Sequence, residues 1–178
     1  MPRVNTKPLL PIKPKRSRSH ASLYLAKAGH LHVMSQFLLR GYNVAMPEVD
    51  IGDDVYVVQV GMGTLWEIQV KTATCVATRS GYRAQLRIRW TQLIEPDDPP
   101  LYYVFTLHAK GNWQPSIVLR RAKLLQLHES SSAGTRSGGY VHFTIWKNHK
   151  GLHCGKADVT PFADNWGEWP VLEESGSL

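Results

Sequence analysis

Cysteine is scarce in this 178-residue chain: only Cys75 and Cys154 occur, and no short Cys/His spacing accompanies them. That excludes a disulfide framework and a structural zinc knuckle, and it predicts reduced thiols in a cytoplasmic protein. Long apolar runs are missing too. Nothing approaches the ~20 residues of a bilayer crossing, and the basic start lacks the apolar stretch of a secretion signal, so no membrane partner is expected. Acid is absent from the first 18 residues, MPRVNTKPLLPIKPKRSR. There Arg3, Lys7, Lys13, Lys15, Arg16 and Arg18 account for six units of the net charge of +7.

A basic segment broken by Pro2, Pro8, Pro11 and Pro14 can neither propagate a helix nor bury a core. The expectation is a flexible arm over residues 1–18 followed by one domain over residues 19–178. Such an arm suits phosphate, since each neutralised phosphate releases condensed counterions; a leader that only aids solubility is the plainer alternative. With 43% hydrophobic and 20% charged residues the remainder is ordinarily globular. It is long enough to bury its own core.

Residues 21–40 place Leu25, Ala26, Val33, Met34, Phe37 and Leu38 at helical spacing, and Gly41 can stop the helix. YNVAMP reads as a short strand. Residues 55–60 and 65–77 flank a GMG turn and predict an antiparallel hairpin in a central sheet against that helix. In residues 82–90 Tyr82, Ala84, Leu86, Ile88 and Trp90 alternate with Arg83, Gln85, Arg87 and Arg89, which predicts a third strand with one apolar and one basic face. LYYVFTLHA is a buried strand, SIVLRR a short one leading into a helix around RAKLLQL, and YVHFTIW a late strand. ESSSAGTRSGG predicts a mobile loop or a hairpin insertion. Phe162, Trp166 and Trp169 are expected to pack the irregular end of the chain onto the body. The class is α/β (α+β), in a single domain with no internal repeat.

The stretch DIGDDVYVVQVGMGTLWEIQVKTA carries the chemistry. On a strand, Glu67, Gln69 and Lys71 share one face, and the hairpin can bring Asp54 beside them. A carboxylate and an amide oxygen are hard ligands suited to Mg²⁺, which keeps several waters and accepts phosphate as a further ligand. A lysine beside them can orient or deprotonate a water and offset charge on phosphorus. On spacing alone an ordinary amphipathic strand is the better reading, since any such strand sets polar residues at alternate positions.

The order helix, LLRGYNV, acid, WEIQVKTA resembles the PD-(D/E)XK nuclease superfamily over residues 26–73, in particular its branch with Q-V-K as the second motif. The resemblance implies a restriction-endonuclease-like core, with a helix on a mixed four-stranded sheet. It also implies Mg²⁺-dependent DNA cleavage (Mn²⁺ as substitute), with Asp54, Gln69 and Lys71 as motif residues and Asp53 as a competing acid. Superfamily members commonly carry a glutamate on the first helix. Here His30 holds that place, so either the metal shell is rebuilt, with Glu67 as a replacement carboxylate, or the chain is a DNA-binding module with a lost site. Arg83, Arg87 and Arg89, expected beside the site, and Lys13, Lys15, Arg16 and Arg18 in the arm are the candidate phosphate contacts. A small nuclease that cuts both strands works most simply as a homo-oligomer, a dimer or a tetramer.

Overall fold

The computed structural model describes residues 18–48, 54–59, 61 and 63–166. The arm with Lys13, Lys15 and Arg16, the competing acid Asp53, and Trp169 lie outside them. The elements in chain order are α1 (Arg18–Leu38), β1 (Asn43–Ala45), β2 (Val55–Val58), β3 (Leu65–Thr74), β4 (Val76–Thr78), β5 (Gly81–Arg89) and α2 (Trp90–Leu93). They continue with β6 (Leu101–Ala109), β7 (Asn112–Arg120), α3 (Arg121–Ser131), β8 (Gly134–Ser137), β9 (Tyr140–Asn148), β10 (Gly151–Cys154) and β11 (Ala157–Asp158). No helix among the described residues is long and apolar enough to cross a membrane.

Two sheets form three layers with α1. The first sheet runs β1-β2-β3-β6-β7 and is mixed: β3 pairs parallel with β6, and its other pairings are antiparallel. One face packs on α1, where Val33 and Phe37 meet Val55, Val57, Trp66, Ile68 and Val70. Tyr103, Phe105 and Leu107 on the opposite face meet Ala84, Leu86 and Ile88 of β5 and Phe143 and Ile145 of β9. The helix and hairpin are where the sequence predicts them, with Val33 and Phe37 fully buried.

Four expectations are corrected. The predicted strand over residues 65–77 breaks at Cys75, whose N–H donates to the His108 carbonyl at 2.8 Å, and β4 continues in a second sheet. That sheet runs β11-β10-β9-β5-β4 with β8 on β9, so Arg83, Arg87 and Arg89 belong to a different sheet from Gln69 and Lys71. β7 begins at Asn112 because Pro115, which cannot donate to a ladder, is tolerated on an edge strand. Trp90 opens α2 rather than continuing β5, and the Arg136 guanidinium lies 4.3 Å from its ring centroid. Of the two readings of ESSSAGTRSGG, the hairpin holds: β8 and β9 pair around Gly138 and Gly139, both at positive φ as a two-residue turn requires.

α1 sits unusually close to the sheet at Gly29. A Cβ there would stand 2.0 Å from Thr72 Oγ1 and 2.9 Å from Thr106 Oγ1, two hydroxyls that hydrogen-bond to each other at 2.9 Å. Gly29→Ala should therefore destabilise the fold by about 1–3 kcal/mol through overpacking, although alanine is the better helix former. Adding Thr72→Ala should recover part of the loss. Thermal denaturation checks this, and an unchanged midpoint in the single variant would refute the close approach.

Candidate active site

Where α1, β2 and β3 meet, the backbone assembles the motif residues. The Asp54 N–H donates to the Ile68 carbonyl at 2.9 Å, and the Val70 N–H donates to Asp54 Oδ2 at 2.7 Å. The acid thus brackets Gln69, and the register Val55↔Ile68 and Tyr56↔Glu67 continues to set Asp54 opposite Gln69. Trp66, Ile68 and Val70 fill the core beneath α1. The strand period then sends Glu67, Gln69 and Lys71 together to the other face. Glu67 and Lys71 are half-buried there, and Gln69 is 4% exposed.

Gln69 Oε1 is buried and accepts no hydrogen bond. Leaving such an oxygen unsatisfied costs about 1–3 kcal/mol, a cost that a ligand bound at this oxygen would offset. The α1 residue in question, His30, does reach the acid: its Nε2 lies 3.6 Å from Asp54 Oδ1. The contact depends on the Gly29 approach, which lowers this turn of the helix onto the sheet. Among the described residues, which do not include Asp53, no group of three or more His, Cys, Asp or Glu side chains is assembled to hold a metal. Asp54 and Gln69 offer one carboxylate and one amide oxygen. This donor set fits an Mg²⁺ ion that keeps several waters and takes phosphate oxygens.

Residues beyond the motif border the site. Tyr103, opposite Gln69 on β6, is fully buried with its hydroxyl unpartnered. Burial pushes its phenol well above the usual range; Arg121 opposes the shift, while Glu95 and Asp54 add to it. Arg121 is itself buried, held by the Glu95 carboxylate at 3.3 Å, by Asp97 and by the Pro96 carbonyl. Sequence reasoning missed this group. The available signal was an acid-rich EPDDPP loop beside a buried strand and a double arginine, LRR, after the next one. Burial raises both thiols, Cys154 to about 12, which keeps them protonated and weakly nucleophilic.

No protein-family model and no curated protein matches the chain. Among solved structures it is similar to a bacterial homing endonuclease, I-Ssp6803I, with a TM-score of 0.53 and 14% sequence identity. The alignment covers 83% of this chain and 90% of that one. The two chains share a fold. At this identity the likeness concerns architecture, a helix on a mixed sheet in one α/β domain, and the residues must carry the chemistry.

Proposed function

We propose that the protein is a metal-dependent DNA endonuclease of the PD-(D/E)XK type, in its Q-V-K branch. The observation that carries the reading is the buried, unpartnered Gln69 Oε1 beside the Asp54 carboxylate, with Lys71 on the same strand face. The fold shared with a homing endonuclease supports it. Asp54 Oδ1 and Gln69 Oε1 are the atoms that would hold Mg²⁺, or Mn²⁺ in its place, which when bound supplies Lewis-acid stabilisation of charge on the scissile phosphate. The Val70 N–H fixes the orientation of the Asp54 carboxylate. Lys71 orients the attacking water, takes its proton or offsets the charge of the pentavalent phosphate. Cleavage of both strands calls for a homo-oligomer.

A second reading, a DNA-binding module without turnover, has one observation in its favour. His30 engages the acid where superfamily members commonly carry a carboxylate, and its ring competes for the same oxygen. Plasmid nicking separates the two. The parent should nick with Mg²⁺ or Mn²⁺ and stop in EDTA, and Lys71→Ala should slow the reaction about a hundredfold while still binding DNA. DNA binding without metal-stimulated nicking by the parent would establish the second reading instead.

A further inference from the structure

The outer face of the second sheet is a separate feature from the candidate site. β5 alternates strictly, with Ala84, Leu86 and Ile88 in the core and Arg83, Gln85, Arg87 and Arg89 exposed. Its partner β9 turns Val141, Phe143 and Ile145 inward and Tyr140, His142, Thr144 and Trp146 outward. The register sets these outward residues in rows: Arg89 against Tyr140, Arg87 against His142, Gln85 against Thr144 and Arg83 against Trp146. Two guanidiniums lie over the rings of this face, Arg87 at 4.9 Å from the Tyr140 centroid and Arg83 at 5.9 Å from that of Trp146.

An ordinary solvated sheet face mixes charges of both signs. The six strands here hold Arg83, Arg87, Arg89, Arg136 and Lys147 against one acid, Asp158, on the far edge strand. That carboxylate already accepts the Thr160 N–H at 2.9 Å. Ion pairs join His30 to Asp54, Arg120 to Asp97 and Arg121 to Glu95 and Asp97, and none of these involves an arginine of this sheet. Trp146 stays 43% exposed, a large ring on an otherwise polar face.

We propose that this face is a docking surface for duplex DNA, on which Arg83, Arg87 and Arg89 hold backbone phosphates while Tyr140 and Trp146 hold two of those arginines in position. The proposal rests on the endonuclease reading for its choice of polyanion, and it adds the surface on which the substrate lies. Dimensions favour a duplex. From Arg83 to Arg89 the strand runs roughly 20 Å at ~3.3 Å per residue, about six base pairs at 3.4 Å each. With neighbouring strands ~4.8 Å apart, β5 and β9 in the middle of the six-stranded sheet present a broad face that lies along the backbone of a duplex rather than entering a groove. The aromatic rings are already covered by guanidiniums, which suits phosphate contact better than stacking on unpaired bases. The platform also leads to the site. Its Arg83 end lines a cavity with Ala73, Thr74 and Val76 at the crossover from β3, and its Arg89 end runs through α2 to Glu95, which pairs with Arg121 next to Tyr103.

Fluorescence anisotropy of a labelled duplex titrated in EDTA, where no turnover occurs, tests the surface. The plot of log affinity against log salt should flatten by about 0.9 for each of Arg83→Gln, Arg87→Gln and Arg89→Gln, and by about 2.7 in the triple variant. Trp146→Leu should weaken binding severalfold with the salt slope almost unchanged, because it removes a support and no charge. A triple variant with the parent's affinity and slope would overturn the proposal, as would a single strand of equal length outcompeting the duplex. Arginine-dependent binding by a parent that never nicks would leave the surface standing and remove the nuclease reading. Lys71-dependent nicking with binding indifferent to all three arginines would do the reverse.

Discussion

Asp54→Asn should lower Mg²⁺-dependent cleavage by about a thousandfold or more, because the site's carboxylate ligand is lost and with it several kcal/mol of charge stabilisation. The substitution is chosen to leave the fold alone. Asparagine has the same shape, and its side-chain carbonyl can still accept the Val70 N–H that now reaches Asp54 at 2.7 Å. DNA affinity measured without metal should stay the same or rise, since the carboxylate's repulsion of the phosphate is gone. The paired measurements are single-turnover cleavage and anisotropy. Normal cleavage by the variant would mean that the acid is wrong, and Asp53 would be next. Normal cleavage by both the Asp54 and Lys71 variants would end the proposal for this site.

The parts of this site that were legible in the sequence are those set by the strand period. Glu67, Gln69 and Lys71 share a face because every second residue must, and Val33 and Phe37 are buried because α1 turns one stripe inward. What was not legible depends on contacts distant in sequence. Residues 72–77 read as uninterrupted strand, TATCVA, and only the hydrogen bond from Cys75 to His108 on β6 marks the point where the chain leaves one sheet for another. Alternation in residues 82–90 told correctly which side of β5 is basic, yet a period of two is the same in either sheet and could not say which sheet the strand joins. His30 illustrates the same limit. Its approach to Asp54 follows from the absent side chain of Gly29 above Thr72 and Thr106, a fit between three elements that no local pattern records.

Gln69 provides the sharpest separation of function from folding. Its buried Oε1 lacks a partner, so replacing the side chain with methionine, similar in volume and without the amide, should raise stability by about 1 kcal/mol. The same change should lower metal-dependent nicking several hundredfold, because a thioether is a poor ligand for a hard cation. A residue kept for the core alone would not show opposite signs in the two measurements. Gln69→Glu completes the contrast. A second buried carboxylate opposite Asp54 should lower the melting temperature without metal, through burial and like-charge repulsion. Added Mg²⁺ should then raise it by more than in the parent, since a ligand bound only by the native state stabilises in proportion to the logarithm of its saturation. Melting curves of the parent and both variants, each with and without Mg²⁺, give the answer without any nuclease assay. If the methionine variant melts lower than the parent, the amide has a structural partner. If Mg²⁺ shifts all three proteins equally, Gln69 is not a metal ligand.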